Sequence, residues 1–460
     1  MLIVEPCAAG DRGASAESRY SMNPHSFAPV TAPFTASLTP PGSKSITNRA
    51  LVLAALAHGR SRLTGVLFAD DTRHMLDCLQ RLNYSLLINE ERKTVEITGV
   101  EAAIPATSAE LFCGNSGTTI RFLAALCALG HGQYVLDGIP RMRQRPIGQL
   151  VDALHSLGAA VDYGAASTYP PLLVRGGLRG GVCNFSDAQS SQYISAVLMV
   201  CPLAPEPSCL HLFGDITSEP YVHMTMRMMR QFGASISLRD GRQDQGEAPY
   251  VRYVDIPARQ QYAACDYPIE PDASNASYFL AAAAVTPGSK VTIENLGRGS
   301  LQGDVGFADV LHQMGANLVY GNNFITITHA GELRGIDVDL NAMPDMAQTV
   351  AVLALFARGS TTIRNVGNLR LKETDRLQAL QQELAKFGAT VETTADSLTI
   401  HPPERLTPAA VQTYDDHRMA MAFSIAALHV PGTIICDPQC VSKTYPNFFQ
   451  DLERTVRSVA

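Results

Sequence analysis

The sequence has no C-x-x-C pair, no excess of positive charge and no apolar run long enough to span a bilayer, and each absence removes a class of protein. Ten cysteines are scattered from Cys7 to Cys440, and Cys436 and Cys440 have no matching Cys/His group elsewhere. A zinc site or disulfide framework is therefore not expected; mostly buried free thiols in a reducing compartment are. Lys+Arg number 36 against 43 Asp+Glu, a net charge of −7, so the global basic footprint of a nucleic-acid binder is missing. Any anionic ligand must be held by a local cluster of cations. Even the alanine-rich stretch 278–285 is too short for a membrane span. No G-x-G-x-x-G follows an expected strand, and Gly42-Ser43-Lys44-Ser45 departs from a P-loop because Ser43 stands where glycine must precede the lysine. Dinucleotide and nucleoside-triphosphate sites are both disfavoured.

The first forty residues carry Glu5, Asp11 and Glu17 and no basic start ahead of an apolar segment, which argues against a secretory or transit peptide. Residues 1–26 are expected to be a disordered extension, with Met22 an alternative start, and the chain is read as cytoplasmic. What remains is the composition of a folded protein, 46% hydrophobic and 17% charged, and 460 residues exceed one ordinary core. Two domains are the expectation.

A repeat runs along the chain. Leu157-Gly158-Ala159, Phe232-Gly233-Ala234, Met314-Gly315-Ala316 and Phe387-Gly388-Ala389 each close a helical stretch, roughly every 75 residues, with Leu82-Asn83 as a degenerate first copy. Apolar helices precede them, at 50–57, 121–126, 277–282, 350–356 and 418–423, and are apolar nearly all round, so they belong in the interior. Short β-rich runs such as Thr361-Thr362-Ile363 follow. Six units imply two sets of three, with the proline-bearing segment 252–272 as linker.

Polar motifs recur where helices of these units begin: 41–49, 114–119, 189–192, 271–274, 344–346 and 414–418. A helix start offers unpaired N–H groups and partial positive charge, which suits phosphate and carboxylate ligands. Simple N-capping is the commoner meaning of any one of them, and it is kept for Asp272 and Ser274. The other motifs carry cations that capping does not require.

Taken in order, Pro41-Gly42-Ser43-Lys44-Ser45 with Arg49, the Gly114-Asn115-Ser116-Gly117-Thr118 loop, the run from Arg141 through Arg145 to Gly148, Ser190-Ser191-Gln192, Leu371-Lys372-Glu373-Thr374-Asp375-Arg376, Asp416-His417-Arg418 and Ser442-Lys443-Thr444 strongly resemble the EPSP synthases. The resemblance extends from about Phe34 to the C-terminus. It implies an α/β fold, a two-domain inside-out α/β barrel with three βαβαββ repeats per domain. Residues 43–270 would hold repeats 1–3, and residues 27–42 with 271–460 would hold repeats 4–6.

The resemblance also implies transfer of the enolpyruvyl group of phosphoenolpyruvate to 3-phosphoshikimate. It places 3-phosphoshikimate against Lys44, Ser45, Arg49, Ser190, Ser191, Gln192, Ser218, Tyr221, Asp345, Asn368 and Lys372. Phosphoenolpyruvate is placed against Lys44, Asn115, Gly117, Arg145, Gln192, Arg376, Asp416, Arg418 and Lys443. Asp345 is the implied base toward the substrate hydroxyl and Glu373 handles the proton on the methylene carbon, assisted by Lys44 and Lys443, with His417 and Asp416 in support. Asp375 fits an ordinary helix start. No metal or organic cofactor is needed, no nucleic acid or membrane partner is expected, and a monomer is. Glyphosate, in this family, occupies the phosphoenolpyruvate position beside the glycine matching Gly117.

Two alternatives stand beside this reading. The sister family acting on UDP-N-acetylglucosamine carries a reactive cysteine before its Arg-Pro motif, and residues 138–145 contain none. A catalytically silent phosphometabolite binder would be expected to lose acid–base groups first, yet Asp345, Glu373, Lys44 and Lys443 are present. Phe122 and Glu219 depart from the family pattern, in which Pro or Leu and Lys are frequent.

Overall fold

The computed structural model describes residues 24–100, 103–164, 166–241 and 251–458. Among these, twelve α-helices follow one another in six pairs. They are α1 (Lys44–Leu56) and α2 (Asp70–Arg81), α3 (Gly117–Cys127) and α4 (Gly148–Ser156), α5 (Ser191–Val200) and α6 (Pro220–Gln231), α7 (Ala273–Val285) and α8 (Phe307–Gln313), α9 (Ala347–Leu353) and α10 (Arg376–Lys386), and α11 (His417–His429) and α12 (Phe448–Val456). The first helix of each pair is buried along nearly all its length, as its all-round apolar sequence requires. The apolar helices picked out from the sequence omit α5, whose apolar run begins directly after Ser190-Ser191.

The closing Gly-Ala marks have a backbone cause. Helices α4, α6, α8 and α10 end two residues before Gly158, Gly233, Gly315 and Gly388, whose φ values of 92°, 91°, 113° and 96° lie in the left-handed region. Glycine enters it without a Cβ penalty and so stops a helix. Asn83, in the degenerate copy after α2, takes φ 65°, as asparagine tolerates better than most residues.

Each helix pair is tied to a small sheet. In the third, Gly181–Ser186 runs parallel to Ser208–Phe213, and Val251–Ile256 and then Ser237–Asp240 add antiparallel. The first sheet takes its parallel strand Asp266–Pro268 from far downstream, beside Ala57–Thr64. The fourth takes Thr35–Leu38 from far upstream, beside Lys290–Glu294. Segment 252–272, read above as a linker, is itself built into the fold. Its residues 252–256 finish a strand, Tyr262 and Tyr267 are buried, and Pro257 and Pro268 stand at strand ends where a missing N–H costs no ladder bond.

Buried apolar residues separate into two clusters, one drawn from residues 46–269 and the other from Phe27, Phe34 and residues 273–456. The chain passes between them at two adjacent places, where Gly42 and Pro271 form an isolated antiparallel bridge. A Cβ on Gly42 would lie 2.0 Å from the Gly65 carbonyl oxygen, so only glycine fits this passage.

At the N-terminus, residues 1–23 lie outside the described residues. His25–Ser26, assigned above to a disordered extension, instead pair antiparallel with Ile434–Ile435, and the His25 ring lies 4.3 Å from that of Phe449. Backbone pairing and ring contact order this stretch despite its short length. Nine cysteines are free among the described residues, six of them buried. No helix there is long and apolar enough to cross a membrane, and no group of metal-ligating side chains occurs among them.

Candidate active site

The polar motifs do begin helices, and most of them cap as well. Ser43, Ser116, Ser190, Asp272 and Asp416 accept from backbone N–H groups of α1, α3, α5, α7 and α11 at 3.4, 3.4, 3.3, 2.9 and 2.9 Å. Asp375 caps α10 through Gln378 N at 3.1 Å, as expected of it, while Ser274 donates to Asp304 rather than capping. Capping consumes donors of the first turn and fixes the residues that follow. Those residues, Lys44, Ser45, Gly117, Ser191, Gln192 and Arg418, are the ones expected to meet ligand.

All eleven residues expected against 3-phosphoshikimate line a single cavity. Thr118, Asp272, Ser274, Asn275, Arg418 and Thr444 complete its wall. Arg49 is 1% exposed, yet its guanidinium meets only neutral acceptors: Thr225 Oγ1 at 2.7 Å, Ser45 O at 3.0 Å and Ser195 Oγ at 3.1 Å. Burial lowers its pKa to about 10, which leaves it cationic at neutral pH. The Phe122 ring lies beneath it, 5.0 Å from the guanidinium carbon, so Phe122 packs against a charge and is not merely helix filling. Glu219, the other departure, pairs with Arg252.

Two carboxylates stand among cations. Asp345 accepts from Arg418 at 2.9 Å and Arg376 at 3.0 Å, with Lys372 Nζ at 3.5 Å. Burial opposes its charge, but Arg418, Lys372 and Arg376 outweigh burial and hold the carboxyl well below the usual carboxylate range. Glu373 lies 3.1 Å from Arg376, 3.7 Å from Lys443 and 3.8 Å from Arg145. Burial again opposes its charge, and Arg145, Arg376 and Lys443 again prevail, well below the ordinary value. His417 is 1% exposed and neither ring nitrogen has a hydrogen-bond partner among the described residues. Burial, then Lys44 and Arg418, push its pKa well below the ordinary value, so the imidazole is neutral.

The phosphoenolpyruvate set divides. Arg145 Nη1 donates to Asn115 O at 2.9 Å and Oδ1 at 3.2 Å, and Lys443 Nζ donates to Asn115 O at 2.8 Å. A Cβ on Gly117 would stand 2.8 Å from Arg145 Nη2, so Asn115, Gly117, Arg145 and Lys443 form one cluster with Glu373. Lys44 and Gln192 line the cavity, Lys44 linked to Lys443 through Asp71 and Gln192 held by Arg121. Arg376 and Asp416 are 1% and 0% exposed and bound to each other at 2.7 and 3.1 Å. Arg376 also donates to Asp345 at 3.0 Å and to Glu373 at 3.1 Å, so it holds both carboxylates, and its Nη1 keeps one N–H unengaged among the described residues.

Three contributors escaped sequence reasoning. Arg121 donates to Gln192 Oε1 at 2.7 Å and Pro146 O at 3.1 Å. It lies one helical turn beyond Gly117, and that i, i+4 spacing was the available signal. Asp71 joins Lys44 at 3.0 Å and Lys443 at 2.6 Å, and Arg141 donates to Lys372 O at 2.7 Å. The last two pairs are separated by hundreds of residues in sequence, and nothing local announces them.

Fold and site together define an α/β enzyme whose cation-lined interior receives small anionic substrates. The EPSP synthase (3-phosphoshikimate 1-carboxyvinyltransferase) family model matches residues 30–452. A 3-phosphoshikimate 1-carboxyvinyltransferase of Klebsiella pneumoniae (strain 342) is 48% identical over 416 residues, covering 90% of this chain and 95% of that protein. One from Enterobacter sp. (strain 638) is 46% identical over 415 residues, covering 90% and 95%. The solved EPSP synthase structure from Acinetobacter baumannii is similar with a TM-score of 0.76 at 25% identity, covering 94% of this chain and 97% of that one. The chain belongs to the EPSP synthase family.

Proposed function

We propose that the chain transfers the enolpyruvyl group of phosphoenolpyruvate to the 5-hydroxyl of 3-phosphoshikimate, releasing phosphate, as its family membership indicates. The observation that carries this reading is the cavity itself. Buried Arg49, which meets no carboxylate among the described residues, shares it with Lys44, Lys372 and Arg418. Cations buried without full charge compensation are costly unless an anionic ligand supplies the rest. Serines 190, 191 and 218 add hydroxyl donors for a phosphate, and Asp345 with Asn368 suits ring hydroxyls.

Both carboxylates are too strongly stabilised to be effective bases while their cations face only them. An incoming phosphate and carboxylate compete for Lys372, Arg418, Arg145 and Lys443, and so raise the proton affinity of Asp345 and Glu373. Asp345 then takes the proton of the attacking hydroxyl as its oxygen bonds to C2, while Glu373 delivers a proton to C3. The tetrahedral intermediate collapses by returning a methyl proton to Glu373 and expelling phosphate. Lys44 and Lys443 offset the developing charge. His417, being neutral, serves as a polar wall and not as an acid.

The same reading takes the six helix pairs with their sheets as six βαβαββ units, three to a domain, in an inside-out barrel. Its support is the separation of the cores and the paired crossings at Gly42 and Pro271. A monomer in the cytoplasm that needs no cofactor is part of the proposal. Phosphate release with both substrates together, and not with either alone, is the expected result. Its absence refutes the reading.

A further inference from the structure

The turn 218–221 belongs to the first core, yet three contacts bind it to the second. Ser218, held at φ 60°, donates its N–H to Asn341 O at 2.9 Å. Pro220 presses on Gly303 so closely that a Cβ there would meet Pro220 Cβ at 2.4 Å. Tyr221 donates its hydroxyl to Asp304 Oδ2 at 3.0 Å. The same oxygen accepts from Ser274, in the first turn of α7. Asp304 is 1% exposed, and its other oxygen, Oδ1, is buried without a hydrogen-bond partner among the described residues.

Asp304 does not line the cavity; Tyr221, Ser218 and Ser274 do. A buried carboxylate is costly, and one that touches no ligand is retained for what it holds. Here it holds a phenol from one core against a helix start from the other. Without it, Tyr221 keeps its ring packing near Arg49, 5.8 Å from the guanidinium carbon, but its hydroxyl loses its fixed direction.

We infer that Asp304 is a positioning residue for the acceptor substrate: its carboxylate anchors the Tyr221 phenol, and with it the turn 218–221, in the arrangement that receives 3-phosphoshikimate. This rests on the functional reading above, and it adds a specific division of labour. Loss of Asp304 weakens the acceptor side and leaves the phosphoenolpyruvate cluster around Glu373, Arg145 and Lys443 intact. The anchor acts only when both cores are in contact, so the turn is complete only in the closed arrangement.

The test measures kcat and both KM values by phosphate release for wild type, Tyr221→Phe, Asp304→Ala, Asp304→Asn and the Tyr221→Phe/Asp304→Ala double variant. Asp304→Ala is expected to raise KM for 3-phosphoshikimate about tenfold, the loss of one hydrogen bond to a charged group, and KM for phosphoenolpyruvate less than about threefold. Asp304→Asn keeps an accepting oxygen and should recover most of the loss, as a purely steric defect would not. The double variant should be no worse than about twofold beyond the poorer single one, because both changes cut the same link. Equal rises in both KM values, no rescue by asparagine, or multiplying effects overturn the inference. If Asp304→Ala fails to fold, Asp304→Ser, whose hydroxyl stops short of the phenol, takes its place with the same expected outcomes. Wild-type turnover tests the reaction and the KM split tests the anchor, so the two fail separately.

Discussion

Asp345 and Glu373 are each ringed by three cations, and this decides what their removal does. Asp345→Ala and Glu373→Ala are each expected to lower turnover by about 100- to 10,000-fold, the span for losing one general acid or base. Turnover within threefold of wild type sinks the role of that residue. Gly117→Ala places a Cβ 2.8 Å from the Arg145 guanidinium, which must then move off its Asn115 partner. A higher KM for phosphoenolpyruvate and weaker inhibition by glyphosate are expected together, and an unchanged KM counts against the cluster. Asp304 has the opposite electrostatics. Burial first, then Asp345, pushes its pKa up to about 6, against the relief given by Ser274 and Arg418 and with Asp272 also facing it. Between about pH 4 and about pH 6 the folded chain therefore holds a proton that an unfolded aspartate, at about 3.9, has released. Its contribution to stability falls as pH rises through that window, whereas those of Asp345 and Glu373 are lost only as pH falls below the ordinary carboxylate range. Melting temperatures of Asp304→Asn should accordingly improve relative to wild type from pH 4.5 to pH 7, and a constant difference refutes this. The residues readable from sequence were those sitting in contiguous motifs. Arg121, Asp71 and Asp304 were not, because each acquires meaning only from a partner brought in by folding.

At the scale of elements, the recurrent Gly-Ala closure was readable because a left-handed residue is a local, steric demand. Gly388→Ala meets nothing closer than 3.4 Å, so its cost is that of the backbone alone, about 1–2 kcal/mol. Urea unfolding monitored by circular dichroism should register that loss with no change in KM. A cost near zero would mean that the turn relaxes. The helix starts were readable for a similar reason, since caps are short-range patterns. In segment 252–272 the prolines read as punctuation, but Pro268 ends a strand whose partner lies some two hundred residues away, and pairing of that kind has no local signature.

For the whole molecule, the two cores meet through charged contacts around the site. Lys443 reaches Asp71 and the Asn115 carbonyl, Arg141 reaches the Lys372 carbonyl, and Arg145 approaches Glu373. Arg49 lines the cavity and meets no carboxylate among the described residues, and two bound anions would add the missing negative charge and favour the closed arrangement. Small-angle scattering should give a smaller radius of gyration with 3-phosphoshikimate plus an inert phosphoenolpyruvate mimic than without ligands. An identical profile at saturation contradicts closure. The same competition for cations predicts net proton uptake on binding both anions, seen as buffer-dependent calorimetric heats near pH 6. Release of protons would contradict the proposed rise in carboxylate proton affinity.

The exchange of strands at Gly42 and Pro271 also sets a timetable for synthesis. Residues 46–269 can complete their core once Asp266–Pro268 has emerged to lie beside Ala57–Thr64. Thr35–Leu38, made earlier, must wait for Lys290–Glu294, and Phe34 N for the Ser289 hydroxyl 255 residues later. At about 5–20 residues per second that is a delay of more than about ten seconds. His25–Ser26 waits longer still, for Ile434–Ile435. The first of the described strands is thus among the last to find its neighbour, and until then the strands at this end present unpaired edges. The eight residues 31–38 include a single proline, Pro33, and no charge to protect their edge, so a nascent chain stalled between residues 270 and 290 is where this protein is most exposed to trapping by another strand.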